Sequence, residues 1–441
     1  MKDAPIATDH AALAADPGPA PSARFSRFAS GLIGSEILKI AGDVRNLKAA
    51  GQAVCDLTVG DFDPKHFPIP DRLRDAITQA LAKGETNYPP SNGVIPLREA
   101  VKRFYARELK LDYPLDSFMV AGGSRPLIYS LYRTVVDPGD RVVYPVPSWN
   151  NNHYSYLSGA EGVPLVCRAE DLFLPTRKTL EPVLPGARLL CLNSPLNPTG
   201  TAFDADGLRA ICELVVDENA GRERRGERPL YVMYDHVYWM LCFGGVQHVT
   251  PSGLVPEMAR YTVYVDGISK AFAGTGVRVG WGVGPTDVIA RMTITLAHMG
   301  AWAPRSEQFG TVDLLEDAQA IAAYHATFLR GVQARLDGLH AGLQAMKAEG
   351  LPVDSIAPMG AIYLTARLAP FGKRTPDGTV LETNEQVRQY LLKATRIAVV
   401  PFQAFGVKTD DGWFRLSVGA VGEAELTDAI PRLAEALRAL A

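Results

Sequence analysis

The stretch Asp266-Gly-Ile-Ser-Lys270-Ala-Phe-Ala-Gly-Thr-Gly-Val-Arg278-Val-Gly-Trp281 organises this chain. The apolar run Tyr261 to Val265 ahead of it reads as a short buried strand that delivers the backbone to a turn. Lys270 then stands among small residues, with Arg278 eight positions on and glycines at 274, 276, 280, 282 and 284. An ammonium at the exit of a buried strand is poorly hydrated, so the neutral amine is favoured and becomes available as a nucleophile. Most lone lysines are simply solvated. The rest of the chain decides between the two.

The chain has 441 residues, long for one domain, so a large and a smaller domain are expected. Hydrophobic residues make up 47% and charged residues 21%, as in an ordinary globular protein with a sizeable core. A net charge of -3 argues against bulk attraction to nucleic acid or to an anionic membrane. No apolar run is long enough to span a bilayer. The five cysteines, at 55, 167, 191, 212 and 242, have no metal spacing and read as buried thiols of a reducing compartment. Residues 1–22 are rich in Ala, Pro and Asp and lack the basic start and apolar core of a secretory signal. They read as a loose arm on a cytoplasmic protein.

Several strand-to-turn junctions could carry chemistry. Val54 to Val59 reads as a strand running into Gly60, which is either a plain turn glycine or a close backbone approach. Tyr88-Pro-Pro-Ser-Asn-Gly93 is a rigid loop before a helix from Leu97. After the strand Phe118 to Ala121, the turn Gly122-Gly123-Ser124-Arg125 leads to a helix at about 126 to 135, with Pro126 in its first turn. Its free amides and helix dipole make a natural phosphate cradle. The strand from Arg141 ends at Ser148-Trp149-Asn-Asn-Asn-His153, whose asparagine run is either a solvated turn or a reader of substrate side chains. A strand from Leu189 breaks into Asn193-Ser-Pro-Leu-Asn197-Pro-Thr-Gly200, where Asn197-Pro198 is a candidate cis bond. Asp235 ends the apolar strand from Leu230, and a buried acid needs a partner. A helix is expected from Asp206 to Val216, then a solvated loop from Gly221 to Arg228. A long helical pattern runs from Asp313 to Glu349, and another from Arg24 to Ala50. In an open α/β sheet, ligands gather beyond the carboxyl ends of strands, where Asn197, Asp235 and Lys270 would converge.

Taken in order, these motifs resemble the fold-type I, pyridoxal-phosphate-dependent aminotransferases of class I/II. The likeness rests on Ser-Lys270-x-Phe with Gly-x-Arg278-x-Gly-Trp, on Tyr88-x-Pro-x-x-Gly-x-x-x-Leu-Arg98, and on Asn197-Pro-Thr-Gly. Pro358-x-Gly-Ala-x-Tyr363 and Arg415-Leu-Ser417 add to it. The resemblance implies an α/β fold in which a mostly parallel sheet flanked by helices forms a large cofactor domain at 66–312. A smaller α+β domain would be built from 23–65 and 313–441. It implies that Lys270 holds pyridoxal 5'-phosphate as a Schiff base and that Arg278, with Gly123, Ser124 and Arg125, holds the phosphate. Ser269 is a further contact; Trp149 would stack on the ring. Asp235 would pair with the ring nitrogen, and Asn197 and Tyr238 would contact the ring hydroxyl. Gly60, Asn197 and Arg415 would bind the substrate, Arg415 by a two-bond grip on the α-carboxylate. Tyr88 would reach the phosphate of a partner subunit, which implies a homodimer with shared sites.

The implied reaction moves an amino group between an L-amino acid and a 2-oxo acid by a ping-pong route, with aspartate or glutamate as the donor. Lys270, displaced by the substrate, would shuttle the proton between Cα and the cofactor. A lyase or decarboxylase on the same scaffold is the enzymatic alternative. A cofactor-sensing regulator would need an added DNA-binding module, and only a short arm precedes the first helix. The chain departs from the family at four places. Ser194 is inserted in the first Asn-Pro pair, Arg125 stands where Gln, Ala or Thr is common so that the phosphate contact there is its backbone's, Gly267 stands where Ser or Thr is common, and Ile33 stands where several bacterial members carry lysine. Arg305, His153 and the asparagine run are candidates for a distal carboxylate.

Overall fold

The computed structural model describes residues 10–15, 24–34 and 36–441. Most of the expected N-terminal arm lies outside them. Short apolar runs, buried on both faces, become the strands of a seven-stranded sheet. Its spatial order is Phe118–Ala121, Gly280–Val283, Thr262–Gly267, Tyr231–Asp235, Ala187–Asn193, Arg141–Val146 and Glu161–Val166. All pairings are parallel except those of Gly280–Val283, which runs antiparallel to both neighbours. Helices cover both faces, as strands apolar on both sides require.

A second sheet is antiparallel, in the order Val400–Pro401, Trp413–Ser417, Tyr363–Leu368 and Val353–Ser355. Of the strand expected from Val54 to Val59, only Cys55–Asp56 pairs, in parallel with Ile397–Ala398. Cys55, Leu57 and Phe62 share one hydrophobic core with residues from Phe328 to Leu440.

Three helices differ from expectation, each for a local reason. The helix Ala205–Arg225 runs through the stretch expected to be a loop, because Gly221 and Arg222 are buried. Arg222 Nη1 donates to the Ala187 carbonyl at 2.6 Å and its Nε to Glu218 at 2.7 Å, so the helix end is tied to the sheet. The long C-terminal pattern divides into Arg305–Glu316 and Ala318–Ala348 at Asp317, whose carboxylate accepts the Ala320 N–H at 2.9 Å as an N-cap. Among the described residues the pattern from Arg24 to Ala50 is broken, with the helices Arg27–Ser30 and Glu36–Ala49 separated by Gly31 to Gly34.

Candidate active site

Neighbouring parallel strands set the floor of the site. Asn193 lies opposite Asp235, and Asp235 opposite Val265, so the ends of three strands stand side by side. Above them opens a cavity of about 630 Å³, lined by Gly60, Ser124, Arg125, Trp149, Asn197, Asp235, Tyr238, Ser269, Lys270, Arg278 and Arg415. Gly123 stands against the cavity's Arg278. Of the residues singled out above, Tyr88 stands apart. Its exposed ring packs edge-on against Trp302, 5.3 Å away, beside an open cleft that also holds Arg305.

Lys270 belongs to a one-turn helix, Ile268–Ala271, rather than to a loop. Its Nζ donates to the Gly60 carbonyl and lies 5.7 Å from the Tyr238 ring centroid. Burial pulls the amine down from 10.5 to about 8; Asp61 opposes this, and Arg415 and Arg125 assist it. Asp61 accepts the Thr275 hydroxyl at 2.5 Å. Asp235 is pushed up to about 6 by burial, eased by the Val237 N–H at 3.2 Å. No ion pair reaches it among the described residues.

Arg415 is fully buried at 1% exposure, between the rings of Tyr363 and Phe405 at 4.7 and 4.9 Å. It donates to Asn197 Oδ1 at 3.1 Å and to the Thr58 carbonyl at 2.5 Å, while its Nε has no partner. Among the described residues no carboxylate forms an ion pair with it. Asn193 clips the neighbouring turn by accepting the Asn197 N–H at 2.8 Å and donating to the Asp235 carbonyl at 2.7 Å. The Asn197-Pro198 bond is cis, as are Ser194-Pro195 and Val146-Pro147.

At the other end of the cavity the helix Ser124–Val135 begins after Gly123, at φ 98°. A Cβ on Gly123 would lie 2.3 Å from Arg278 Nη2, so only glycine lets the guanidinium sit against this helix start. Arg278 donates to the carbonyls of Thr275 and Gly122 at 2.7 and 2.9 Å. In the asparagine run, Asn150 adopts φ 59° and leads into a helix, Asn151–Ser158, with Asn151 buried. Asn150 and Asn151 line the cavity.

Sequence reasoning missed a group behind the floor. Asp266 is wholly buried and accepts from Tyr105 Oη at 3.0 Å, Trp239 Nε1 at 2.9 Å and the Gly267 N–H at 2.7 Å. It ties the segment before Lys270 to the turn after Asp235. The signal was present, since an acid in an apolar strand needs partners, as Asp235 does. Tyr363 was also missed; its hydroxyl meets that of Tyr238 at 2.5 Å.

The sequence profile described as Aminotransferase class I and II matches residues 52–433. The chain belongs to that family. The enzyme is an aminotransferase dependent on pyridoxal 5'-phosphate. It is 32% identical to an aspartate aminotransferase of Rhizobium meliloti (strain 1021), over 91% of this chain and 93% of the relative. It is 30% identical to a probable aspartate/prephenate aminotransferase of Rickettsia bellii, over 92% and 97%. The crystal structure of the Rhizobium meliloti aspartate aminotransferase superposes with a TM-score of 0.85 at 30% identity, over 95% of this chain and 99% of that one. The Thermus thermophilus aspartate aminotransferase with maleate gives 0.82 at 27% identity, over 94% and 99%.

The aminotransferase has the donors and acceptors this cofactor requires. A helix N-terminus beside a guanidinium suits a phosphate. A buried carboxylate without an ion pair suits a protonated ring nitrogen, and an amine held near neutrality suits an aldehyde.

Proposed function

We propose that this aminotransferase takes the amino group of a dicarboxylic amino acid, aspartate or glutamate, and passes it to a 2-oxo acid. The buried Arg415, paired with no carboxylate among the described residues, lines one cavity with Lys270 and carries the reading of an amino acid as donor. The similarity to aspartate and aspartate/prephenate aminotransferases supports aspartate as the donor.

Bound pyridoxal phosphate supplies an aldehyde that condenses with amines and a ring that accepts the electron pair released at the substrate Cα. Lys270 would carry the resting link to it, and its Nζ, once free, would take the proton from Cα and return it. Asp235 would hold the ring nitrogen's proton, and Arg278, the Gly123–Arg125 turn and Ser269 would hold the phosphate. Trp149 would stack on the ring, and Asn197 and Tyr238 would orient the ring hydroxyl. Arg415, with Asn197 and the backbone of Gly60, fixes the α-carboxylate and so points the Cα–H bond at Lys270.

The domain division expected above, 23–65 with 313–441 around 66–312, is supported by the hydrophobic core that Cys55, Leu57 and Phe62 share with the C-terminal residues. The exposed Tyr88 and the apolar groups near it suit a homodimer in which Tyr88 serves the neighbouring site. The net charge of -3 and the absence of a long apolar helix among the described residues suit a cytoplasmic enzyme.

The test is the absorbance spectrum of the loaded protein before and after L-aspartate or L-glutamate, with no oxo acid present. Loss of the yellow band with growth of the amine form of the cofactor is expected. An unchanged spectrum with both donors would refute a dicarboxylic donor.

A further inference from the structure

Two phenol hydroxyls meet in the cavity wall. Tyr238, in the turn after the strand Tyr231–Asp235, and Tyr363, at the start of the strand Tyr363–Leu368, lie 2.5 Å apart, oxygen to oxygen. Both are buried and both line the cavity. Among the described residues neither hydroxyl has another hydrogen-bonding partner. The Tyr363 hydroxyl is also confined. A Cβ on Gly60 would lie 2.8 Å from Tyr363 Oη, and the Arg415 guanidinium covers the Tyr363 ring at 4.7 Å. Stacking on Arg415 uses the ring alone, so it leaves the hydroxyl unexplained.

A phenol carries one proton and accepts through its lone pairs. One of the two protons therefore lies in the bond between the rings, and only the other can be donated elsewhere. If Tyr238 gave its proton to Tyr363, it could only accept from a third group. If Tyr363 donates, Tyr238 keeps a proton to give. We infer that Tyr363 is a positioning residue, which donates to Tyr238 and so turns the Tyr238 proton toward the ring oxygen of the cofactor. This deepens the proposed function and rests on its placement of Tyr238 at the ring hydroxyl. The surroundings favour that direction. Burial pushes both phenols up, Tyr238 well above the usual range, while Arg415 holds Tyr363 back. The more acidic phenol is the better donor. A hydroxyl that accepts one hydrogen bond also donates a stronger one, so the pair gives the ring oxygen a better donor than Tyr238 alone.

Tyr363→Phe keeps the ring that covers Arg415 and removes the hydroxyl alone. Holoenzymes of the wild type, Tyr363→Phe, Tyr238→Phe and the double variant are titrated with pH, following the yellow absorbance of the cofactor held on Lys270. A donor on the ring oxygen weakens that oxygen's hold on the proton of the lysine link, so the link loses its proton at lower pH. Tyr363→Phe is expected to raise the midpoint by about 0.3 to 1 pH unit, the range for one hydrogen bond. Tyr238→Phe should raise it further, and adding Tyr363→Phe to that variant should change nothing more. The KM for the amino donor should move less than about 3-fold in Tyr363→Phe. A midpoint moved by Tyr238→Phe and not by Tyr363→Phe would overturn this assignment alone. So would an equal shift from Tyr363→Phe in the Tyr238→Phe background, or a KM raised about tenfold with the midpoint unmoved, which would put Tyr363 on the substrate. A midpoint that neither variant moves would overturn the placement of Tyr238 in the proposed function, and this assignment with it. Where the shift appears and neither aspartate nor glutamate changes the wild-type spectrum, the proposed donor falls and the assignment stands.

Discussion

Arg415 and Asn197, 218 residues apart in sequence, are joined by a hydrogen bond of 3.1 Å from Nη1 to Oδ1. The bond links the antiparallel sheet to the turn that follows a strand of the main sheet. It also fixes the plane of a guanidinium that has two aromatic walls and no carboxylate. Lysine at 415 would keep the charge and lose both the fork and the stacking. For Arg415→Lys, kcat/KM for the amino donor is expected to fall by about 100-fold or more, roughly 3 kcal/mol, mostly through KM. Steady-state kinetics with the donor varied would check this, and a KM within threefold of wild type would remove Arg415 from the substrate.

Lys270 offers a pH readout independent of turnover. Its amine sits near 8 because burial disfavours the ammonium, with Asp61 and Asp235 pulling up and Arg415 and Arg125 pulling down. Only the neutral amine attacks an aldehyde. Covalent uptake of pyridoxal phosphate by the cofactor-free protein should therefore rise with pH through about 8 and level off above it. Asp61→Asn removes the strongest upward pull and should move the midpoint lower. Rapid-mixing absorbance measures both; a midpoint near the ordinary lysine value would count against a desolvated amine.

Asp235 lowers the stability of the cofactor-free protein at neutral and higher pH. Its folded pKa, about 6, lies above its ordinary 3.8. The folded protein thus binds this proton more tightly than the unfolded chain does. That contribution is fully present below about pH 4 and lost as pH rises through 6, a difference of roughly 3 kcal/mol. Cofactor-free Asp235→Asn should be more stable than wild type at pH 8 and lose that advantage below pH 4, while holding pyridoxal phosphate more weakly. Urea melts of the two proteins across that pH range would decide the matter. An advantage that does not change with pH would mean the carboxylate is not desolvated.

Much of the cavity could be read in the sequence because its residues sit in contiguous turns. Lys270, Asn197 and Asp235 each stand at or just past the end of an apolar strand, parallel pairing puts those strand ends together, and Arg278 follows in the turn after Lys270. Asp61, Thr275 and Tyr363 were not legible as neighbours. Thr275 meets Asp61 across 214 residues and Tyr363 meets Tyr238 across 125, through long-range packing that no local pattern encodes. The end of the helix Ala205–Arg225 escaped for the opposite reason. Its run of charges looked solvated, but Arg222 turns inward to carbonyls that the strands before it leave free. The stacking of the Arg125 guanidinium on Trp149 was likewise invisible, because a sequence shows a cation but not what it rests on.

Gly267 tests why the chain departs from the Ser or Thr common at its position. A Cβ there would lie 2.7 Å from both Gly280 Cα and the Val279 carbonyl oxygen. Both are backbone atoms of the strand region paired with Thr262–Gly267, and Gly267 lies opposite Gly280 in the register. Neither can swing aside as a side chain would. Gly280 is equally confined, with Gly123 Cα 3.0 Å and Asp266 O 3.0 Å from its own ideal Cβ. Gly267→Ser should therefore not recover a phosphate contact. It should push the two strands apart beneath the helix start at Ser124, destabilising the fold by roughly 2–4 kcal/mol and loosening the phosphate end. Denaturant melts and cofactor dissociation rates measure the two effects. A Gly267→Ser protein as stable as wild type and tighter on the cofactor would show that the strands have room, and that the missing hydroxyl is the real departure.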